Sequence, residues 1–142
     1  MLLTDTHTHQ YYETDPDKRR ELMQRCFDNG VGLLFLPNVD STSIEKVFAL
    51  ADAYPENCFP MLGLHPCDVK ENWREELEII HDTIPQRKIY AIGEIGIDLY
   101  WDKTTLDIQV QAFKIQIGWA KELKLPIVIH CRNSYDEVFE VL

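Results

Sequence analysis

Three segments of the chain place side chains that commonly bind metal ions at the ends of apolar runs. His7 and His9 follow the short run at residues 2–6, Glu94 ends a run that begins at Lys88, and His130 follows Ile129. Neutral imidazoles are good ligands for Zn, Mn, Fe or Ni. A carboxylate is costly to bury unless it is paired or bound to a cation. The recurrence of this arrangement in three segments predicts a divalent-metal site.

Each of these residues also has a simpler interpretation. His7 and His9 could be one surface and one core histidine, but Asp5 precedes them at the same spacing of two. If the strand continues that far, the three side chains share one face. Glu94 could be a solvated turn residue, although Asp98 lies four residues later and a turn does not require both acids. We expect Asp98 to support a ligand or to cap a loop.

Other polar residues lie near the same strand ends. His65 follows the third strand and could contact substrate or be a structural loop histidine. Arg132 is placed to bind a phosphate group through two parallel hydrogen bonds, or else is a surface arginine. Cys131 should point away from His130, into the helix layer, and we interpret it as a packing residue.

Predicted strands alternate with predicted helices along the whole chain. Asp15-Pro16 is a helix N-cap followed by an N1 proline, and Thr42–Glu45 has the spacing of a capping box. A third helix has Trp73, Leu77, Ile80 and Ile84 on its apolar side, and a fourth has Leu106, Val110, Phe113, Ile117 and Ala120. The predicted strands are Leu2–Thr6, Val31–Leu36 (buried on both faces), Cys58–Leu64, Lys88–Glu94 and Ile127–His130.

This alternation predicts an α/β fold with a parallel sheet, and we expect residues 1–142 to form a single domain. About five βα units are present, whereas a closed (β/α)₈ barrel needs eight and typically about 250 residues. The pattern therefore fits an incomplete barrel or a smaller open sheet, and the short final helix favours the incomplete barrel.

Composition limits the function classes. The net charge of −10 argues against broad electrostatic binding of nucleic acid, but not against a phosphate-bearing substrate held by metal ions. No apolar run approaches the roughly 20 residues of a membrane span. The start of the chain does not resemble a signal peptide. The four cysteines contain no C-x-x-C pair and are expected to be reduced, so we expect a cytoplasmic protein.

Taken together, these segments resemble the TatD family of metal-dependent deoxyribonucleases, which have an amidohydrolase-like (β/α)₈ TIM barrel. The glycine-flanked Glu94 segment is the most specific match, and the order and spacing of the segments agree over essentially the whole chain. The matching segments are Asp5–His9, Gly63–Pro66, Ala91–Asp98 and Pro126–Arg132.

The resemblance implies a DNA phosphodiesterase with two divalent ions, which could be Zn, Mn, Mg, Fe, Co or Ni. DNA would be a substrate rather than a stable partner. His7, His9, Glu94 and His130 would be metal ligands, with Glu94 shared between both ions and also catalytic. His65 and Arg132 would orient the substrate.

Family members are about twice as long as this chain, and two further ligands would fall beyond Leu142. We therefore expect a barrel fragment that is at most weakly active alone. A phosphoesterase of the PHP type is an alternative, but no histidine occurs between His9 and His65. Classical amidohydrolases commonly carry a carboxylated lysine where Glu94 lies. A non-catalytic interaction module, which could self-associate through an open sheet edge, is a third alternative.

Overall fold

The computed structural model of the protein describes residues 1–142, in which strands and helices alternate as predicted. The strands are Leu3–Asp5 (β1), Val31–Pro37 (β2), Cys58–Met61 (β3), Ile92–Asp98 (β4) and Ile127–Arg132 (β5). The helices are Pro16–Asp28 (α1), Ile44–Ala53 (α2), Trp73–Thr83 (α3), Leu106–Leu123 (α4) and Tyr135–Val141 (α5). None of these helices combines the length and the apolar character that crossing a bilayer requires.

All strand pairs are parallel, and the strands lie side by side in chain order. One sheet has the order β1-β2-β3 and a second consists of β4 and β5. A single parallel bridge between Leu62 and Ile92 connects the two. Sequential parallel strands joined by helices confirm the predicted α/β class with about five βα units. Their carboxyl ends consequently lie along one edge, where the loops that bear the candidate residues begin.

The helix starts agree with the sequence at α1 but not at α2. The Asp15 carboxylate accepts hydrogen bonds from the backbone N–H groups of Asp17 and Lys18, directly before Pro16. The predicted capping box at Thr42–Glu45 is wrong. Asp40 and Ser43 instead cap each other reciprocally around a 3₁₀ turn, and α2 follows this turn. The Thr42 hydroxyl, which the predicted box required, donates instead to the Asp40 carboxylate at 2.8 Å.

Two predicted strand properties need correction. We expected the fourth strand to end at Glu94, but β4 continues to Asp98 because it pairs with β5 along its whole length. We expected Val31–Leu36 to be buried on both faces, but residues of β2 alternate between buried and half-buried. One face of this part of the sheet is only partly covered, and its side chains therefore show the two-residue period of a half-exposed strand.

The core consists of two apolar clusters. The larger one joins α3 and α4 to β4, with Leu77, Phe113 and Ile95 among its buried members. The smaller one lies between α1, α2 and β2 and includes Met23 and Leu36.

The buried face of α4 differs from the predicted stripe, because two glutamines occupy it. Gln109 and Gln116 are 2% and 0% exposed, whereas Leu106, Val110 and Ile117 are only partly buried.

These glutamines bind backbone groups of the segment that follows β3 and of the last residue of β4. The side-chain oxygen of Gln116 accepts from the N–H of Leu64 at 2.7 Å, and its NH₂ group donates to the carbonyl of Leu64 at 3.4 Å. Gln109 pairs in the same way with the N–H and carbonyl of Asp98, at 2.8 and 3.0 Å. Seven residues apart on one helix face, the two amides hold the segments that carry His65 and Asp98.

Candidate metal centre

Four histidines surround the Glu94 carboxylate at the carboxyl edge of the strands. One carboxylate oxygen, Oε2, lies 3.1 Å from Nε2 of His7, 3.6 Å from Nε2 of His65 and 4.0 Å from Nε2 of His9. The other oxygen, Oε1, lies 2.9 Å from Nδ1 of His130. Residues that are far apart in the chain are thus brought together on one carboxylate that is only 10% exposed.

A bulge in β4 directs Glu94 toward this cluster. Gly93 is paired with Val128 and Ile95 with Ile129, so Glu94 is the extra residue of its strand. Bulges of this kind re-aim a side chain while the strand continues. Gly96 lies so close to β5 that a Cβ atom there would be 1.9 Å from the carbonyl oxygen of His130. Gly96 is therefore required at this position, because any side chain there would prevent the close approach of β4 and β5.

His7 and His9 reach the site from a loop and not from a strand face. β1 ends at Asp5, whose carboxylate accepts a hydrogen bond from the backbone N–H of His7, which bends the chain. The N–H of Thr8 then donates to the carbonyl of Phe35 on β2. Asp5, His7 and His9 were expected to share a strand face if the strand continued to His9, and β1 does not continue that far. The two imidazoles nevertheless converge, with their Nε2 atoms 3.2 Å apart.

Tyr11 orients the imidazole of His9 from behind. Its hydroxyl donates to the carbonyl of Pro37 at 2.7 Å and lies 2.8 Å from Nδ1 of His9. Since the single phenolic proton goes to Pro37, the hydroxyl must accept a hydrogen bond from Nδ1–H of His9. The lone pair of Nε2 is then free and points toward Glu94, as a metal ligand requires. Sequence reasoning missed Tyr11, because a buried tyrosine looks like any core residue.

Asp98 orients His130 in a similar way. Its Oδ2 atom lies 2.7 Å from Nε2 of His130, and its Oδ1 accepts from the N–H of Tyr100 at 2.9 Å. Asp98 thus performs both predicted roles, supporting a candidate ligand and capping a loop. Burial disfavours the imidazolium, but hydrogen bonds to Glu94 and Asp98 outweigh burial and raise the pKa of His130. Burial also opposes ionisation of Glu94, but the surrounding histidines lower its pKa overall.

His65 has a different proton arrangement. Its Nδ1 accepts a hydrogen bond from the backbone N–H of Cys67 at 3.1 Å, so the proton of the neutral ring lies on Nε2. Burial lowers the pKa of His65 to about 4, which keeps the ring neutral near pH 7. Nε2–H faces Glu94 and His130, so His65 is suited to donate a hydrogen bond at the centre of the site.

The donor atoms form two groups that fit divalent cations. His7, His9 and Glu94 make one group, and His65, Glu94 and His130 make the other, with the nitrogen and oxygen atoms of each group within 4.8 Å of one another. Because Nε2 of His65 carries the ring proton, Glu94 and His130 are the members of the second group with a lone pair available for an ion. Glu94 belongs to both. Mixed imidazole and carboxylate donors suit Zn, Mn, Fe, Co or Ni, so the residues fit the metal site that the sequence predicted.

Arg132 and Cys131 lie outside the cluster. The Arg132 guanidinium is exposed and lies over the ring of Tyr100, 3.8 Å from its centroid, with Trp101 at 5.6 Å. Cys131 packs against the larger apolar cluster. Neither exposed aromatic residue was identified from the sequence.

The chain is similar to known proteins over nearly its whole length. The family model described as "TatD related DNase" matches residues 4–142. The metal-dependent hydrolase YabD of Bacillus subtilis, whose function is uncharacterised, is 33% identical over 99% of this chain and 55% of its own. The 3'-5' ssDNA/RNA exonuclease TatD of Pectobacterium parmentieri is 29% identical over 95% of this chain and 51% of its own.

The fold is similar to that of a solved structure. The crystal structure of YjjV, a TatD homologue from Escherichia coli K12, superposes with a TM-score of 0.86 at 30% identity, covering 96% of this chain and 53% of that one. The chain thus spans about half the length of the curated relatives it matches.

Proposed function

The chain belongs to the TatD-related DNase family of metal-dependent hydrolases, and from this we propose that the whole protein hydrolyses phosphodiester bonds in DNA with two divalent ions. The Pectobacterium relative is named as an exonuclease acting on ssDNA and RNA, which supports a nucleic-acid substrate. The single observation that carries the proposal is the position of Glu94, whose Oε2 lies near His7, His9 and His65 while its Oε1 lies near His130.

In this proposal Glu94 would hold both ions, His7 and His9 would help to hold one of them, and His130 would help to hold the other. Ions bound there would supply Lewis-acid charge to the phosphate and make the attacking water more acidic. Tyr11 and Asp98 keep His9 and His130 in the orientation that such binding needs.

Two residues would act on the substrate. His65 donates from Nε2–H toward the phosphate, and the guanidinium of Arg132 binds a neighbouring phosphate oxygen pair. With a net charge of −10, the protein has little general attraction for a polyanion. The metal ions and Arg132 would therefore provide the local positive charge that the substrate requires.

The same relatives support a finer proposal for the fold, and the cysteines support one for the cellular compartment. The residues aligned here would be the first βα units of a (β/α)₈ barrel, with the site at its carboxyl edge. The four cysteines are free, which supports a cytoplasmic protein.

Substitution of Glu94 by Gln tests the proposal. The amide keeps the shape of the side chain but removes the negative charge shared by the two ligand groups. We expect Glu94→Gln to bind Zn²⁺ or Mn²⁺ at least about tenfold more weakly in titration calorimetry, and to abolish metal-dependent DNA cleavage in the whole protein. Glu122→Gln, on the exposed side of α4, is the matched control and should change neither.

The two measurements separate two kinds of failure. Wild-type metal affinity in Glu94→Gln would show that Glu94 is not a ligand. Loss of metal binding with no DNA cleavage by the wild-type whole protein would retain the metal centre but contradict the proposed reaction.

A further inference from the structure

Two exposed aromatic side chains lie directly beside the metal centre, in the loop after β4. Tyr100 is 51% exposed and Trp101 is 72% exposed, and their rings are nearly perpendicular with centroids 4.7 Å apart. Neither belongs to an apolar cluster, so the core does not account for them. Together with Arg132, which covers one face of Tyr100, they form a surface that we call the aromatic platform.

The aromatic platform is tied to the residues that orient the candidate ligands. The Asp98 carboxylate accepts hydrogen bonds from the N–H groups of Tyr100 and Trp101, at 2.9 and 3.4 Å. The same carboxylate lies 2.7 Å from Nε2 of His130. Arg132 is paired with Asp98 in the register of β4 and β5. The position of the platform relative to the metal centre is therefore set by one buried carboxylate and one strand pair.

Arg132 is free to bind an anion. It forms no ion pair in the structure, and its guanidinium carbon lies 3.8 Å from the centroid of the Tyr100 ring. An arginine stacked on an aromatic face keeps the N–H donors at its edge available for phosphate oxygens.

Trp101 also has an open side. It lines a cavity of about 210 Å³ together with Lys70 and Asp98. The platform therefore combines a cation with an indole that is 72% exposed and borders an open cavity.

We propose that the aromatic platform is a nucleobase-binding subsite, on which one base of a single-stranded nucleic acid stacks against Trp101 while Arg132 contacts the adjoining phosphate. This inference rests on the proposed function, because it assumes that the substrate is a nucleic acid. Stacking on aromatic rings and arginine planes is how proteins hold unpaired bases. Bases inside a duplex are already stacked and cannot offer a face, so the platform selects single strands. Stacking also needs no positive field, which suits a chain of net charge −10.

The test compares an oligonucleotide with bases against one without. The probes are a fluorescently labelled phosphorothioate oligothymidylate, which resists cleavage, and an abasic phosphorothioate oligomer of equal length. Binding of each is measured by fluorescence anisotropy with Mn²⁺ present. We expect Trp101→Ala to weaken binding of the oligothymidylate about 5- to 150-fold, the range measured for loss of one stacked base, and to leave binding of the abasic oligomer unchanged. Trp101→Phe should restore most of the loss.

Two further variants serve as controls. Arg132→Gln should weaken binding of both oligomers, because it removes a phosphate contact. Phe139→Ala removes an aromatic side chain that is also 72% exposed but lies on α5, and should weaken neither.

Each outcome leads to a decision. Equal effects of Trp101→Ala on both oligomers, or no effect on either, would overturn the aromatic platform and leave the proposed function intact. Failure of the wild-type whole protein to bind either oligomer would overturn both proposals.

Discussion

Gln116 of α4 binds the backbone of Leu64 in the segment that follows β3. Its replacement by methionine should measurably destabilise the fold. Methionine has nearly the same length and shape, so the change removes hydrogen bonds without opening a large cavity. The lost partners are the N–H of Leu64, bound at 2.7 Å, and two carbonyl groups bound more weakly, that of Leu64 at 3.4 Å and that of Ala112 at 3.2 Å. Both residues are buried, so water cannot replace the amide.

The expected magnitude follows from these bonds. A buried backbone N–H left without a partner costs about 1–3 kcal/mol, and the weaker bonds to carbonyl groups together contribute about 0.5–1 kcal/mol. We therefore expect Gln116→Met to lower the free energy of unfolding by about 1.5–4 kcal/mol. A domain of this size has only about 5–15 kcal/mol in total, so the change is large.

Urea denaturation followed by circular dichroism is the appropriate assay. The midpoint should fall while the slope of unfolding free energy with urea stays the same, because the exposed area hardly changes. Gln111→Met is the matched control, since Gln111 is exposed on the same helix with one 3.5 Å contact to Arg74. It should alter stability by less than about 0.5 kcal/mol. A Gln116→Met protein as stable as the control would refute the role of this amide.

Three other changes test the site and its support. Tyr11→Phe removes the acceptor for Nδ1–H of His9, so calorimetry should show about 10- to 100-fold weaker metal binding, and unchanged affinity would contradict this role. Gly96→Ala should lower the free energy of unfolding by about 3 kcal/mol in urea denaturation, because φ is +147° and β5 blocks a Cβ. Gly118→Ala, in the interior of α4 with open space around it, should instead raise it by about 0.5–1 kcal/mol, and equal effects would count against the close approach of the strands. The pKa of His65 is about 4 in the folded chain, against 6.5 in the unfolded chain. Between these two pH values only the unfolded chain binds a proton at this ring, so the free energy of unfolding of the metal-free protein should rise with pH. His65→Asn should flatten this rise, and an unaltered pH profile would argue against a buried neutral imidazole.

Several features of the site could be predicted from single residues and their spacing. His7, His9, Glu94 and His130 were identified because metal-binding side chains at the ends of apolar runs are unusual, and the structure brings all four together. Their roles as ligands stay predictions. His65 was identified by its position after a strand, but its proton arrangement depends on Cys67 and could not be predicted.

Other features gave no usable signal in the sequence. Tyr11 can orient His9 because its hydroxyl donates to the carbonyl of Pro37, twenty-six residues away in the chain. Gln109 and Gln116 occur within an apolar helix pattern, where the period of the hydrophobic residues indicated a different buried face. In both cases the deciding partners are backbone groups of distant segments, which a local pattern cannot represent.

The sequence by itself determined the alternation of strands and helices, the parallel sheet and the types of side chain available for metal binding. These depend on local periodicity, on caps such as Asp15, and on the tendency of parallel strands to end at one edge. The tertiary structure alone decided where the strands stop and which way the ligands face. Glu94 points into the site because pairing with β5 creates a bulge, and His7 reaches it because the loop bends after Asp5. Such geometry arises from long-range pairing and packing, so it becomes defined only when the whole chain is folded.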